Sequence, residues 1–97
     1  MDISKELKIA MSTGKVEIGF KTSLKAINNK KAKLIIVASN IPEKMKSKIE
    51  AKCNNVPIYI FPGTSWELGS VCGRPHMVST VAIIDPGESS ILKIKEG

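Results

Sequence analysis

One stretch of this chain decides more of its architecture than any other: the uninterrupted apolar run Leu34-Ile35-Ile36-Val37-Ala38, bounded by Lys33 on one side and Ser39-Asn40 on the other. Its five positions are apolar without alternation and rich in β-branched residues. That pattern fits a central strand buried on both faces, because a half-exposed strand would alternate and a helix would run longer. A strand covered on both faces requires helices on both sides of its sheet.

The flanking segments supply them. Asp2 is placed to N-cap a first helix whose apolar positions, Ile3, Leu7, Ala10 and Met11, follow the helical period, and Thr13-Gly14 ends it. Lys15 to Ile18 alternates like a short strand, broken by Gly19. A second helix, from about Phe20 to Asn29, carries Leu24 and Ile27 inward, and Lys30-Lys31 follows where the helix dipole favours cations. After the central strand, Asn40 is read as the N-cap of a third helix, with Pro42 in its first turn and Glu43 three residues after the cap. Met45, Ile49 and Cys53 mark that helix's buried stripe. Val56–Phe61 reads as a strand, and Thr64 and Glu67 have the spacing of a capping box for a fourth helix that Gly73 and Pro75 end. Val78–Ile84 reads as a strand, Asp85-Pro-Gly-Glu88 as a turn, and Ile91–Ile94 as a short last strand. Helices alternating with strands predict a mixed sheet between helical layers, a three-layer α/β/α sandwich. The chain has 97 residues, a length that predicts a single domain over 1–97.

Charge limits what such a domain would meet. The formal net charge is +6, and it is uneven: residues 1–52 hold twelve lysines against five acids, whereas residues 53–97 hold three bases against four acids. This fits a polyanionic partner, and it equally fits a lysine-rich solubilising surface. The N-terminus, MDISKELKIAM, has no apolar core of the kind a secretory signal carries. No apolar run approaches the length of a membrane span, so a cytoplasmic chain without a membrane partner is expected. Cys53 and Cys72 form no metal-binding spacing and are expected as reduced, half-buried thiols.

Catalytic inventories come up short. The single histidine, His76, follows a proline in a loop, and neither a nucleophile elbow nor a paired-cysteine or H-E-x-x-H metal motif occurs. The segment from Gly14 to Thr22 approximates a phosphate-binding loop with one residue too many, but Val16-Glu17-Ile18 reads as strand and Phe20 separates the glycine from Lys21. No enzyme, no cofactor, no metal and no small-molecule substrate are expected.

Three loops carry chemistry beyond structural need. Gly19-Phe20-Lys21-Thr22-Ser23 opens a helix with a lysine where the dipole favours an anion; free amides, a cation and hydroxyls suit a phosphate, while a solvated lysine on a glycine-capped helix is the plainer reading. Asn40, at the end of the central strand, can cap a helix or present its amide to a base edge. Gly73-Arg74-Pro75-His76-Met77-Val78 sets cationic, planar and apolar groups side by side, as proteins that hold unstacked RNA bases do, or else is an ordinary connection with an exposed arginine. With no basic amphipathic helix bearing large apolar anchors, nucleic acid is favoured over membrane.

These segments carry a family resemblance. Gly19-Phe-Lys-Thr-Ser-Leu-Lys25, Ala32-Lys-Leu-Ile-Ile-Val-Ala-Ser-Asn40, Val56-Pro-Ile-Tyr-Ile-Phe61, Gly63-Thr-Ser-Trp-Glu-Leu-Gly69, Gly73-Arg-Pro-His76 and Asp85-Pro-Gly-Glu-Ser89 resemble the "thirty-e" family of archaeal and eukaryotic large-subunit ribosomal proteins. That family lies within the superfamily of small kink-turn RNA-binding proteins. The Asp-Pro-Gly-Glu-Ser and Gly-Arg-Pro-His stretches are similar to the archaeal form. The resemblance implies an α/β/α fold with a four-stranded mixed sheet. It also implies a structural role in the large ribosomal subunit through a kink-turn internal loop of ribosomal RNA, with neighbouring ribosomal proteins as further partners and a monomer when free. It carries an RNA-binding role onto Gly19, Lys21, Thr22, Asn40, Arg74, Pro75, His76 and Val78. On that pattern amides near Gly19 and Lys21 meet phosphates at the kink, Asn40 reads a guanine edge of a G·A pair, and His76 and Val78 cover an extruded base. One position departs: eukaryotic members carry an aromatic ring where this chain has His76, whose imidazole offers less stacking area. Alternative targets are a guide-RNA particle or a messenger-RNA element, and a different class of function is a protein–protein module.

Overall fold

The computed structural model of the protein describes residues 2–53 and 55–94, so the unit expected over 1–97 reaches beyond the described residues at both ends and at position 54. Helix α1 (Ile3–Thr13) starts as expected, with the Asp2 carboxylate accepting from the Lys5 amide at 3.2 Å, and buries Ile3, Leu7 and Ala10. Strand β1 (Lys15–Ile18), helix α2 (Phe20–Asn28), strand β2 (Leu34–Ala38), helix α3 (Glu43–Lys52), strand β3 (Ile58–Phe61), helix α4 (Ser65–Val71) and strand β4 (Thr80–Asp85) follow, and a 3-10 turn over Ile91–Lys93 comes last. The capping box forms: the Thr64 hydroxyl accepts from the Glu67 amide while the Glu67 carboxylate accepts from the Thr64 amide.

The strands form one mixed sheet in the order β1-β4-β2-β3, with β4 antiparallel to both β1 and β2, and β3 parallel to β2. Every residue of β2 is buried, as its unbroken apolar sequence requires. Its side chains alternate between two cores. Leu34, Ile36 and Ala38 pack with Leu7 and Ala10 of α1, Leu68 of α4 and Ile91. Ile35 and Val37 pack with Ala26 and Ile27 of α2 and Ile49 of α3. This is a three-layer α/β/α sandwich, with α1 and α4 on one face and α2 and α3 on the other.

Several expectations change. Ile91–Ile94 is a 3-10 turn rather than a strand. Ile91 and Ile94 both face the α1 core and are three residues apart, which matches three residues per turn and not the two-residue period of a strand. The Glu6 carboxylate holds this segment by accepting from the Ser90 amide at 2.7 Å and the Ser89 hydroxyl at 2.9 Å. Helix α3 starts later than expected, with Pro42 rather than Asn40 at its N-cap. Strand β3 begins at Ile58, although the Pro57 carbonyl already accepts from the Ile35 amide. Strand β4 begins at Thr80, because the Val78 amide leaves the ladder to donate to the Ser65 carbonyl at 3.0 Å. Of the two inward positions expected in α2, Ile27 is buried, while Leu24 packs from the core's edge and Ser23 and Ala26 go inside.

Candidate nucleic-acid interface

The sheet's strand directions bring the three loops together. Because β4 runs opposite to β1 and β2, the C-terminal ends of β1 and β2 lie beside the N-terminal end of β4, and parallel β3 ends there too. Backbone hydrogen bonds stitch the segments at that end. The Gly19 amide donates to the Thr80 carbonyl at 2.9 Å, the Ala38 amide to the Ser79 carbonyl at 2.9 Å, and the Ser39 amide to the Gly63 carbonyl at 2.9 Å. Gly19, Asn40 and Val78 therefore lie at one end of the sheet, with Lys21 and Thr22 in the helical turn that follows Gly19, and Arg74, Pro75 and His76 lie on the loop that returns from the end of α4 to Val78.

Gly19 turns the chain from β1 into α2 with φ at 115°, a region that disfavours any residue with a Cβ. Its own amide is spent on Thr80, so the free amides near it are those of the residues that follow. The first bond of α2 runs from the Ser23 amide to the Gly19 carbonyl, and no side chain caps the helix. The amides of Phe20, Lys21 and Thr22 are consequently the ones without an intrahelical acceptor. The side chains of Lys21 and Thr22 are exposed beside them.

Asn40 does cap a helix, but a different one. Its Oδ1 accepts from the Ser65 amide at 2.8 Å, tying the end of β2 to the first turn of α4 across 25 residues of sequence. Since a backbone amide can only donate, this bond fixes which way the side-chain amide points. Oδ1 is occupied, and the Nδ2 donors are left for an acceptor such as guanine O6 or N7.

The loop from Gly73 to Ser79 is shaped by the end of α4. Gly73, with φ at 69°, donates to the Ser70 carbonyl at 3.0 Å while the Arg74 amide donates to the Gly69 carbonyl at 2.9 Å, a Schellman closure that sends the chain back over the helix. Arg74, Pro75 and His76 are exposed. His76 Nδ1 lies 3.1 Å from the Met77 carbonyl oxygen, which can only accept, so in the neutral ring the proton sits on Nδ1 and Nε2 is the acceptor. Val78 is different: its side chain is only 3% exposed and belongs to the α1–α4 core, so it supports the loop from beneath. Met77 beside it is 63% exposed.

Trp66, also 63% exposed, carries no expectation from the sequence beyond its aromatic ring, and it stands at this end of the molecule. The Val78-to-Ser65 bond joins the residue before it to the residue after Met77. A sequence signal exists: within the capping box Trp66 falls off the Leu68–Cys72 buried stripe of α4. Cys72 is buried and Cys53 half-buried, and both are free thiols. Burial pushes the Cys72 thiol up to about 11, with the nearby Arg74 charge pulling the other way, so this sulfur stays protonated beside the loop. Among the described residues no three His, Cys, Asp or Glu side chains are grouped to hold a metal ion, and no helix is long and apolar enough to cross a membrane.

Together these features define a class: a three-layer α/β/α protein with an uncapped helix start and a fixed side-chain amide at one end of its sheet, and an exposed Arg-Pro-His loop leading back to that end. Within that class the chain belongs to the ribosomal protein L7Ae/L30e/S12e/Gadd45 family, whose pattern it matches over residues 1–93. It is 50% identical to the large ribosomal subunit protein eL30 of Pyrobaculum islandicum, over 99% of this chain and 97% of that protein. It is 46% identical to the protein of the same name from Methanothermobacter thermautotrophicus, over 97% of this chain and 98% of that one. A solved protein of unknown function from Bacillus halodurans superposes with a TM-score of 0.82 over 95% of this chain and 93% of its own, at 24% identity, and so shares the fold.

Proposed function

We propose that this protein is a structural component of the large ribosomal subunit, not an enzyme, that binds and stabilises a kink-turn loop of ribosomal RNA. What carries this reading is the convergence of the Gly19, Asn40 and Arg74–Met77 segments at one end of the sheet, in a chain nearly half identical to large-subunit proteins. The free amides of α2's first turn and Lys21 neutralise phosphates where the kink crowds them together. The Asn40 Nδ2 donors read a guanine acceptor edge of a G·A pair, and His76 with Met77 covers an extruded base. Contacts with neighbouring ribosomal proteins, a monomeric free state and a cytoplasmic, ribosome-associated location belong to the same proposal.

The decisive titration compares a kink-turn RNA with the same RNA whose G·A pairs are replaced by Watson–Crick pairs, at one fixed salt concentration. Strong preference for the kinked RNA is expected; equal, salt-sensitive binding to both would reduce the surface to a general basic one. Lys21→Ala is expected to weaken binding to every kinked sequence and to lower the salt slope by about one. Co-purification with intact ribosomal particles, rather than with small guide-RNA particles, separates the ribosomal target from its relatives.

A further inference from the structure

Tryptophan is a large side chain that folds bury for the most part. The one tryptophan of this chain, Trp66, is instead 63% exposed, as is Met77. Helix α4 has no packing need for a ring at that position: it buries Ser65, Leu68 and Gly69, and its start is already fixed by the Thr64–Glu67 capping box. Apolar side chains scattered singly over a surface are ordinary, but these two are linked. The Val78 amide donates to the Ser65 carbonyl at 3.0 Å, and this bond joins the peptide group that ends at Trp66 Cα to the one that starts at Met77 Cα. Standard covalent dimensions then limit the separation of those two Cα atoms to about 8 Å. The Ser65 amide in turn donates to Asn40 Oδ1 at 2.8 Å. One buried residue, Ser65, therefore ties Trp66 both to the Asn40 amide and to the end of the Arg74–Met77 loop.

We infer that Trp66 is a second stacking platform, holding a further unpaired nucleotide of the same RNA loop beside the one covered by His76 and Met77. The inference rests on the kink-turn reading above. Bases outside a duplex stack on aromatic side chains, and every base can do so because each has a π-face. Trp66 is preorganised for this. It stands in the first turn of a capped helix, and the residue before it is hydrogen-bonded through both its amide and its carbonyl, so little beyond two side-chain torsions is left to fix. The adjacent acid is turned aside: the Glu67 carboxylate accepts from the Thr64 amide and the Thr64 hydroxyl, each at 3.2 Å. A protein partner would also take an exposed tryptophan, but the tie through Ser65 to Asn40 and Met77 favours the RNA held there.

The test sets Trp66→Ala, Trp66→Phe and His76→Ala against kink-turn RNAs in which each unpaired nucleotide in turn is made abasic. On the intact RNA, Trp66→Ala is expected to bind roughly 5- to 150-fold more weakly than the parent, with Trp66→Phe between the two. Its salt slope should equal the parent's, because stacking releases no counterion. One abasic RNA should bind Trp66→Ala and the parent equally, and it should differ from the RNA that erases the loss in His76→Ala. Since Trp66 is the one tryptophan, its emission reports on this ring alone; the intact RNA should quench it and that abasic RNA should not. Unchanged affinity of Trp66→Ala for the intact RNA overturns the inference and leaves the ring to a protein partner. An equal loss on every abasic RNA also overturns it, because Trp66 would then act through the position of the loop and not through a base. A single abasic RNA erasing the losses of both Trp66→Ala and His76→Ala would overturn a second platform. A failure of the underlying reading shows separately, as loss of the parent's preference for kinked over straightened RNA. Unfolding midpoints of the Trp66 variants, measured alongside, should coincide with the parent's, as the ring is exposed.

Discussion

Asn40 offers a way to separate what a side chain does for the fold from what it does for binding. Its Oδ1 takes the Ser65 amide at 2.8 Å, and only Nδ2 remains to donate outward. Asn40→Ala removes both. Losing a side-chain acceptor at a helix start costs about 1 kcal/mol of stability, and losing a direct hydrogen bond to a base costs roughly 1–3 kcal/mol of discrimination. Asn40→Asp is expected to divide the two. Its carboxylate still accepts from Ser65 and, beside the α4 N-terminus, offsets any packing difference by about 0.3–1 kcal/mol. It has no donor, however, and it sets a negative charge against phosphate. Urea unfolding should therefore leave Asn40→Asp within about 0.5 kcal/mol of the parent and Asn40→Ala about 1 kcal/mol below it. RNA titration should show both variants losing affinity for the kinked RNA, by roughly 5- to 150-fold, with Asn40→Asp at least as impaired as Asn40→Ala. Parental RNA affinity in Asn40→Asp would refute a reading role for Nδ2. Equal destabilisation of the two variants would refute the structural role given to Oδ1.

Other positions give independent checks. A Cβ at Gly69 would collide with the His76 carbonyl oxygen, so Gly69→Ala should cost about 1–3 kcal/mol in denaturant unfolding and, by displacing the Arg74–Met77 loop, weaken RNA binding as well. The Ser23 hydroxyl is fully buried with no hydrogen-bond partner, so Ser23→Ala should be neutral or raise stability by up to about 1 kcal/mol, with RNA affinity unchanged. The Ser90 amide and then the Ser89 hydroxyl hold the Glu6 carboxyl below its usual pKa; a carboxyl depressed in the folded state stabilises above its unfolded pKa, and that contribution is lost as pH falls through the folded one. Unfolding midpoints followed into the acidic range should accordingly decline less steeply for Glu6→Gln than for the parent.

The sequence displays most of the secondary structure because that information is local. The unbroken Leu34–Ala38 run, the Asp2 cap, the Thr64–Glu67 capping box and the apolar spacing of α1 each depend on residues within a turn or two of one another. The last segment misleads because four residues, Ile-Leu-Lys-Ile, carry too little periodicity to distinguish a step of two from a step of three. Only the ties from Ser89 and Ser90 to Glu6, more than eighty residues away in the chain, settle it.

The candidate site divides in the same way. Residue types at Gly19, Lys21, Asn40 and Arg74–His76 are visible as an excess of cationic, amide and planar groups in loops, and the family pattern joins them. Sequence alone also determines the charge asymmetry and the absence of acids around α2, which are properties of composition. It cannot say that Asn40 serves α4 rather than α3, that Val78 lies inside while Met77 and Trp66 lie outside, or that Gly19's amide is already taken. Those outcomes depend on strand order and direction. Antiparallel β4 between β1 and β2 brings ends together that the chain separates by tens of residues, and a hydrogen-bond partner at that distance leaves no mark in local periodicity.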